Sequence, residues 1–215
     1  MGDLMKPIIG IIGRPDTLAS GNKVMIIYED IRTSIIKSGG IPLGIISTSE
    51  CLDKFDDEMK SLINKCDGII MQGGDSFYEY DIKVLEHAYD NDIPLLGICL
   101  GMQVLGHFFN GKVVSCKNHY QPLKKYVHEV YIDKKSKLYK IIGCDKIKVN
   151  SRHKDMVKDV DIDIVGISDD GVIEAIEDKK KKFFIGVQWH PENMYSYDIL
   201  ERRLFDYFIS ICRKW

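Results

Sequence analysis

The chain has 215 residues, 45% hydrophobic and 29% charged, with 30 basic against 32 acidic side chains and a formal charge of −2. This mixture excludes a disordered chain, a collagen and a disulfide miniprotein, and its near-neutral balance supplies no overall positive field for nucleic acid or an anionic membrane. The longest apolar stretch, residues 93–102, is about ten residues and holds two glycines, well short of the roughly 18 that a membrane span needs.

Residues 7–13 (Pro-Ile-Ile-Gly-Ile-Ile-Gly) read as a buried first strand. Apolar positions 26, 27, 31, 35 and 36 recur at helical spacing over residues 26–38, and Gly39-Gly40 stops that helix. A short strand over 41–46, a helix over 56–65 and a third strand over 68–71 follow, with Gly73-Gly74-Asp75 as a turn. Residues 81–89 are helical, with Ile82, Leu85, His87 and Ala88 on the inner face; 94–98 form a fourth strand and 101–109 a helix. Strands alternating with helices, and strands that are apolar almost throughout, predict a parallel sheet covered on both faces.

After Gly111 the texture changes. Six strand-like runs follow, over 112–116, 127–132, 147–150, 162–167, 172–176 and 183–188, with turns such as Asp169-Asp170-Gly171 between them. They read as antiparallel additions, and residues 196–213 as a closing helix. The charge run from Lys179 to Lys182 reads as a solvated hairpin turn. No repeat or linker interrupts the pattern, so residues 1–215 read as one domain. No basic region leads into an apolar leader at the start, which predicts a cytoplasmic protein. The six cysteines (51, 66, 99, 116, 144, 212) are scattered, with no Cys-x-x-Cys, and are expected as free thiols. The six histidines show no paired ligand spacing either, so neither a cofactor nor a structural zinc is expected.

The strongest chemical signal is Pro94-Leu-Leu-Gly-Ile-Cys99-Leu-Gly101-Met-Gln103. A buried strand runs into Gly-x-Cys-x-Gly and then a helix, the thiol form of the nucleophile elbow. Side chains two residues either side of Cys99 would collide in so sharp a turn, hence Gly97 and Gly101. The turn sets Cys99 at a helix N-terminus, where free amides and the helix dipole favour a thiolate and a developing oxyanion. A thiol nucleophile needs a base, and the base an orienter. Phe183-Phe-Ile-Gly-Val-Gln-Trp-His190-Pro-Glu192 supplies both. An apolar strand delivers His190 at its carboxyl end. Glu192, two residues on in an extended segment, lies on the same side.

With both motifs in hand, the chain resembles the class I glutamine amidotransferase superfamily, whose free-standing members include the gamma-glutamyl hydrolases of peptidase family C26. The resemblance covers almost the whole chain. It rests on Gly97-Ile-Cys99-Leu-Gly101-Met-Gln103, Gly186-Val-Gln-Trp-His190-Pro-Glu192, Gly73-Gly74-Asp75 and Val149-Asn-Ser151-Arg-His153. It implies a flavodoxin-like three-layer α/β sandwich and a Cys99-His190-Glu192 triad that cleaves a gamma-glutamyl amide through a glutamyl thioester. By matching position, the backbone amides of Leu100 and Gly74 form the oxyanion hole, and Gln103, Ser151 and His153 contact the glutamyl group.

Two functional classes share such a triad. A free hydrolase releases glutamate from a small gamma-glutamyl conjugate; an amidotransferase subunit passes ammonia to a separate synthetase. A third class is a non-catalytic binding protein on the same fold. Residues 6–14 and 38–42 resemble the hydrolases acting on gamma-glutamyl-gamma-aminobutyrate, which favours the first class. Leu100 departs from the Arg common in those enzymes, and Asn150-Ser-Arg-His-Lys-Asp155 departs from their Asn-Ser-x-His-His-Gln. Residues 153–157 resemble a partner-facing loop of amidotransferases. Lys124, Lys125 and Arg152 suggest an anionic leaving group. A homodimer fits a globular enzyme of this size.

Overall fold

A computed structural model describes residues 5–47 and 55–213; Cys51 and the first four residues lie outside the described residues. In chain order the first half contains β1 (Ile8–Ile12), β2 (Arg14–Thr17), β3 (Lys23–Ile26), α1 (Glu29–Lys37), β4 (Ile41–Ile45), α2 (Asp57–Ile63), β5 (Gly68–Met71), α3 (Glu79–Asp90), β6 (Leu95–Ile98) and α4 (Leu100–Phe108). The second half contains β7 (Lys112–Ser115), β8 (His128–Ile132), α5 (Lys137–Ile142), β9 (Lys146–Val149), β10 (Asp155–Lys158), β11 (Asp163–Ser168), β12 (Ile173–Glu177), β13 (Phe184–Val187) and α6 (Ile199–Cys212).

The main sheet runs β4-β1-β5-β6-β13-β12-β11-β8-β9. Its first five strands pair in parallel, and numbered among themselves they have the 2-1-3-4-5 order of the flavodoxin-like fold. The remaining strands add antiparallel to the β13 edge. β5, β6 and β13 are buried at every position, because helices cover both faces and every side chain meets one core or the other. One core lies under α1, α5 and α6, with Ile9, Ile35, Leu138, Phe205 and Phe208; the other lies under α2, α3 and α4, with Met59, Val84, Leu85, Met102 and Leu105.

Several details depart from the sequence expectation. The helix expected over 26–38 begins only at Glu29, because Lys23–Ile26 folds back on Arg14–Thr17 as an antiparallel hairpin. β10 pairs with β7 in a sheet of two strands rather than forming a loop. α3 turns Val84 inward with Leu85 and Ala88, whereas the His87 ring meets Asn64. The lysine run is the expected turn between β12 and β13, with Lys179, Lys180 and Lys182 exposed, but Lys181 folds back: its Nζ lies 4.0 Å from the Tyr89 ring centroid and donates to the Tyr89 carbonyl. Cys66, Cys99, Cys116, Cys144 and Cys212 are free thiols. No helix among the described residues is long and apolar enough to cross a membrane.

Candidate active site

β6 ends at Ile98, and Cys99 caps the N-terminus of α4 with φ 52° and ψ −103°. A side chain rarely adopts a positive φ, and the strain persists only where surroundings impose it. Here they do. The Cys99 amide donates to the Val187 carbonyl at 2.8 Å, which ties the turn to β13. A Cβ on Gly97 would lie 2.7 Å from the Gly101 carbonyl oxygen, and one on Gly101 would collide with the Met71 carbonyl. The two glycines therefore let the chain reverse within one residue of the sulfur.

β13 is the parallel neighbour of β6, with Val187 opposite Ile98. Its continuation delivers His190, whose Nδ1 lies 2.7 Å from Glu192 Oε1. Burial alone would lower the pKa of His190, but the Glu192 carboxylate and the Cys99 sulfur raise it from the usual 6.5 to about 10. Both neighbours favour the protonated ring. Gly73 gives it room: a Cβ there would stand 3.0 Å from His190 Cε1 and 3.6 Å from Cys99 Cβ. Asn150 fixes the backbone. Its Oδ1 accepts from the His190 amide at 2.9 Å and its Nδ2 donates to the His190 carbonyl at 2.7 Å. Next to it Trp189 is fully buried and donates through Nε1 to Glu201 Oε2 at 3.0 Å. Burial raises the Glu201 carboxyl to about 8, so it is neutral at pH 7.

Cys99, His190 and Glu192 open on a cavity of about 510 Å³, walled further by Tyr28, Gly74 and Arg152. A narrower cavity of about 100 Å³ continues past Cys99 between Gly74, Gln103, Tyr120, Arg152 and His153. Gly74 stands against Leu100: a Cβ on it would lie 3.1 Å from Leu100 Cδ2. Leu100 is the first residue of α4, where amides have no partner within the helix.

The substrate-contact expectations fare differently from one another. Gln103 lines the narrow cavity, while its Nε2 donates to the Asp155 carbonyl at 3.0 Å and to Gln188 Oε1 at 3.3 Å. Ser151 is fully buried and its hydroxyl donates to the His119 carbonyl at 2.5 Å. His153 shows the cavity only its ring, since both nitrogens face inward, to the Asp155 carbonyl and to His119. Of Lys124, Lys125 and Arg152, only Arg152 lines either cavity; Lys125 Nζ sits over the Tyr197 ring at 4.9 Å.

Residues absent from the sequence expectation also build the site. The β2–β3 hairpin brings Tyr28 to the rim. Gln72 fastens that hairpin, donating to the carbonyls of Ile12 and Ile26 at 2.9 Å each and accepting from the Tyr28 amide at 2.9 Å. The buried Arg14–Asp81 ion pair, 2.5 Å apart, braces the loop from below, with Arg14 also donating to the Gln72 carbonyl.

Residues 78–192 match the family model of peptidase C26, more than half of the chain and inclusive of the elbow and of His190 and Glu192. The chain belongs to the peptidase C26 family. A glutamine amidotransferase-like protein of Rickettsia prowazekii is 30% identical, over 87% of this chain and 91% of its own length. The gamma-glutamyl-CDP-amidate hydrolase of Campylobacter jejuni is 32% identical, over 58% of this chain and 61% of its own. A glutamine amidotransferase of Thermotoga maritima superposes with a TM-score of 0.67 at 15% identity, covering 98% of this chain and 100% of that one, which establishes the shared fold. This C26 protein is a glutamine amidotransferase-like hydrolase.

Proposed function

We propose that this C26 protein hydrolyses the gamma-glutamyl amide bond of a small conjugate and releases glutamate. The observation that carries the reading is the meeting of a strained Cys99, the His190 imidazole and the Glu192 carboxylate on one open cavity. In this reading the Cys99 thiolate attacks the amide carbon. The oxyanion accepts hydrogen bonds from the backbone amides of Leu100 and Gly74. His190 passes its proton to the departing nitrogen, the C–N bond breaks, and the amine leaves while a glutamyl thioester remains. Water then gives its proton to His190, attacks the thioester and releases the sulfur. Glu192 holds the ring in the right tautomer throughout. The glutamyl head occupies the narrow cavity beside Gln103 and His153, where Arg152 and Lys154 offer positive charge to its carboxylate; Ser151 contributes through backbone alone. The amine side lies in the wider cavity.

Glutamate release from a panel of gamma-glutamyl amides by the isolated chain tests this. Cys99→Ala should abolish turnover, and hydroxylamine should intercept the thioester as a hydroxamate. A second reading, ammonia delivery to a synthetase, is favoured by Leu100 directly after the nucleophile and by the amidotransferase relatives. Glutamine cleavage that needs a second protein, with no conjugate turned over by the chain alone, would select it.

A further inference from the structure

On the antiparallel side of the sheet, four polar side chains converge inside the protein. Glu174 stands on β12 and is fully buried. Its Oε1 lies 3.1 Å from His128 Nε2, 3.3 Å from His119 Nδ1 and 3.6 Å from His153 Nε2. His119 Nδ1 lies 3.1 Å from His153 Nε2. His119 follows β7, His128 opens β8 and His153 precedes β10, so no local spacing along the chain announces the group.

Hydrogen positions narrow what it can be. His153 Nδ1 lies 2.9 Å from the Asp155 carbonyl oxygen, which can only accept, so Nδ1 carries the hydrogen. In the neutral ring Nε2 is then a bare lone pair. His119 Nε2 lies 3.0 Å from Asp170 Oδ2, a carboxylate steadied by the Ser168 hydroxyl. In the neutral His119 ring Nδ1 is then bare as well. Two imidazole lone pairs and a carboxylate oxygen thus face one point, and that arrangement calls for a positive centre. A single proton bridges one pair of these atoms. Glu174 Oε2 is buried without a hydrogen-bond partner among the described residues, and His128 Nε2 meets Glu174 Oε1 at 3.1 Å without the alignment of a hydrogen bond.

We infer that His119 Nδ1, His153 Nε2, Glu174 Oε1 and His128 Nε2 bind a divalent transition metal, zinc by preference. Donors 2.0–2.1 Å from a tetrahedral centre stand about 3.3 Å apart; His119 Nδ1, His153 Nε2 and Glu174 Oε1 stand 3.1–3.6 Å from one another, and His128 Nε2 stands 3.1 Å from Glu174 Oε1. The outward hydrogen bonds of His153 to a carbonyl and of His119 to a carboxylate are the kind that fix the tautomer of a metal-bound imidazole. Imidazole and carboxylate donors suit zinc, and four protein donors in a buried site make its role structural. Cys116 flanks the same point, its sulfur within 4.8 Å of ring nitrogens of His119 and His153. The ion fastens the His119 segment, β8 and the segment ending at His153 to β12. That last segment includes Asn150, which holds His190.

The test uses the full chain with its tag removed, incubated with zinc chloride and then dialysed against metal-free buffer. Elemental analysis should find about one zinc per chain. Zinc at a hundredfold excess over its Kd should raise Tm by about 5–10 °C above the chelated protein. Cobalt(II) chloride in its place should give the visible bands of a four-coordinate site. Glu174→Gln and His128→Gln should each weaken metal binding at least about tenfold, whereas Cys99→Ser should retain it. Wild-type protein that holds less than about a tenth of an equivalent of either metal, with Tm unmoved, overturns the inference; the cluster then shares a proton only. Metal retained in both cluster variants overturns it as well, because the ion sits elsewhere. The wild-type measurements decide the matter even if a variant fails to fold.

Discussion

Replacing Glu192 with Gln removes the carboxylate charge that holds the His190 proton, yet leaves an oxygen to accept from Nδ1. The rise of His190 from 6.5 to about 10 corresponds to roughly 5 kcal/mol in favour of the protonated ring. An opposite charge in direct contact accounts for about one to three pH units of such a rise. The sign is fixed by the direction: the ring is protonated below its folded-state pKa, and the proton leaves as pH rises through about 10. In the wild type, kcat/KM for a chromogenic gamma-glutamyl anilide should therefore hold to an alkaline limb near pH 10 and fall beyond it, when the leaving nitrogen loses its acid. In Glu192→Gln the limb should move down to about pH 8. Iodoacetamide labelling of Cys99 should show the same displacement, since the limb belongs to the coupled pair and not to one group. A limb that stays where the wild type has it would refute the assignment of the carboxylate as the holder of that proton.

Asn150→Ala loses two buried hydrogen bonds to the His190 backbone and leaves an amide and a carbonyl unpaired, so denaturant unfolding should show a loss of about 2–4 kcal/mol, with kcat reduced more than KM is raised. Gly101→Ala drives a Cβ into the Met71 carbonyl, and thermal unfolding should report about 3 kcal/mol or more of destabilisation, far beyond an alanine placed in an exposed helix. Glu201 titrates near 8 in the fold against 4.5 in the open chain. Stability should therefore fall as pH rises from 4.5 to 8, by up to about 1.4 kcal/mol per unit, and Glu201→Gln should flatten that slope while keeping an acceptor for Trp189.

The parallel half of the sheet is legible in the sequence because β1, β5, β6 and β13 are covered on both faces and so read as unbroken apolar runs. Cys99, His190 and Glu192 are legible for a related reason: each sits where such a run ends, and the glycines beside Cys99 announce a turn that only small residues permit. The hairpin of β2 and β3 is not legible. Its strands are four residues each and mostly exposed, and Gln72, some 46 residues beyond Ile26, fastens it to the sheet. α5 spans six residues, too few to show a helical period, and the polar residues around Glu174 come from segments whose meeting only the antiparallel pairing creates. Asn150 stands in a quoted motif, but its hold on His190 depends on contact across 40 residues.

The adjacency of β6 and β13 has a consequence for how such a chain can vary. Cys99 directly follows β6 and His190 lies three residues past β13, so the roughly 4.8 Å pitch between those paired backbones brings sulfur and imidazole to the same end of the sheet. The 85 residues between Ile98 and Phe184 do not set that placement. That long excursion can gain strands, lose turns or acquire new binding loops at its far edge while Cys99 and His190 keep their places. Under the proposed reaction, a change of leaving group is then a change in the excursion and leaves the ends of β6 and β13 as they are.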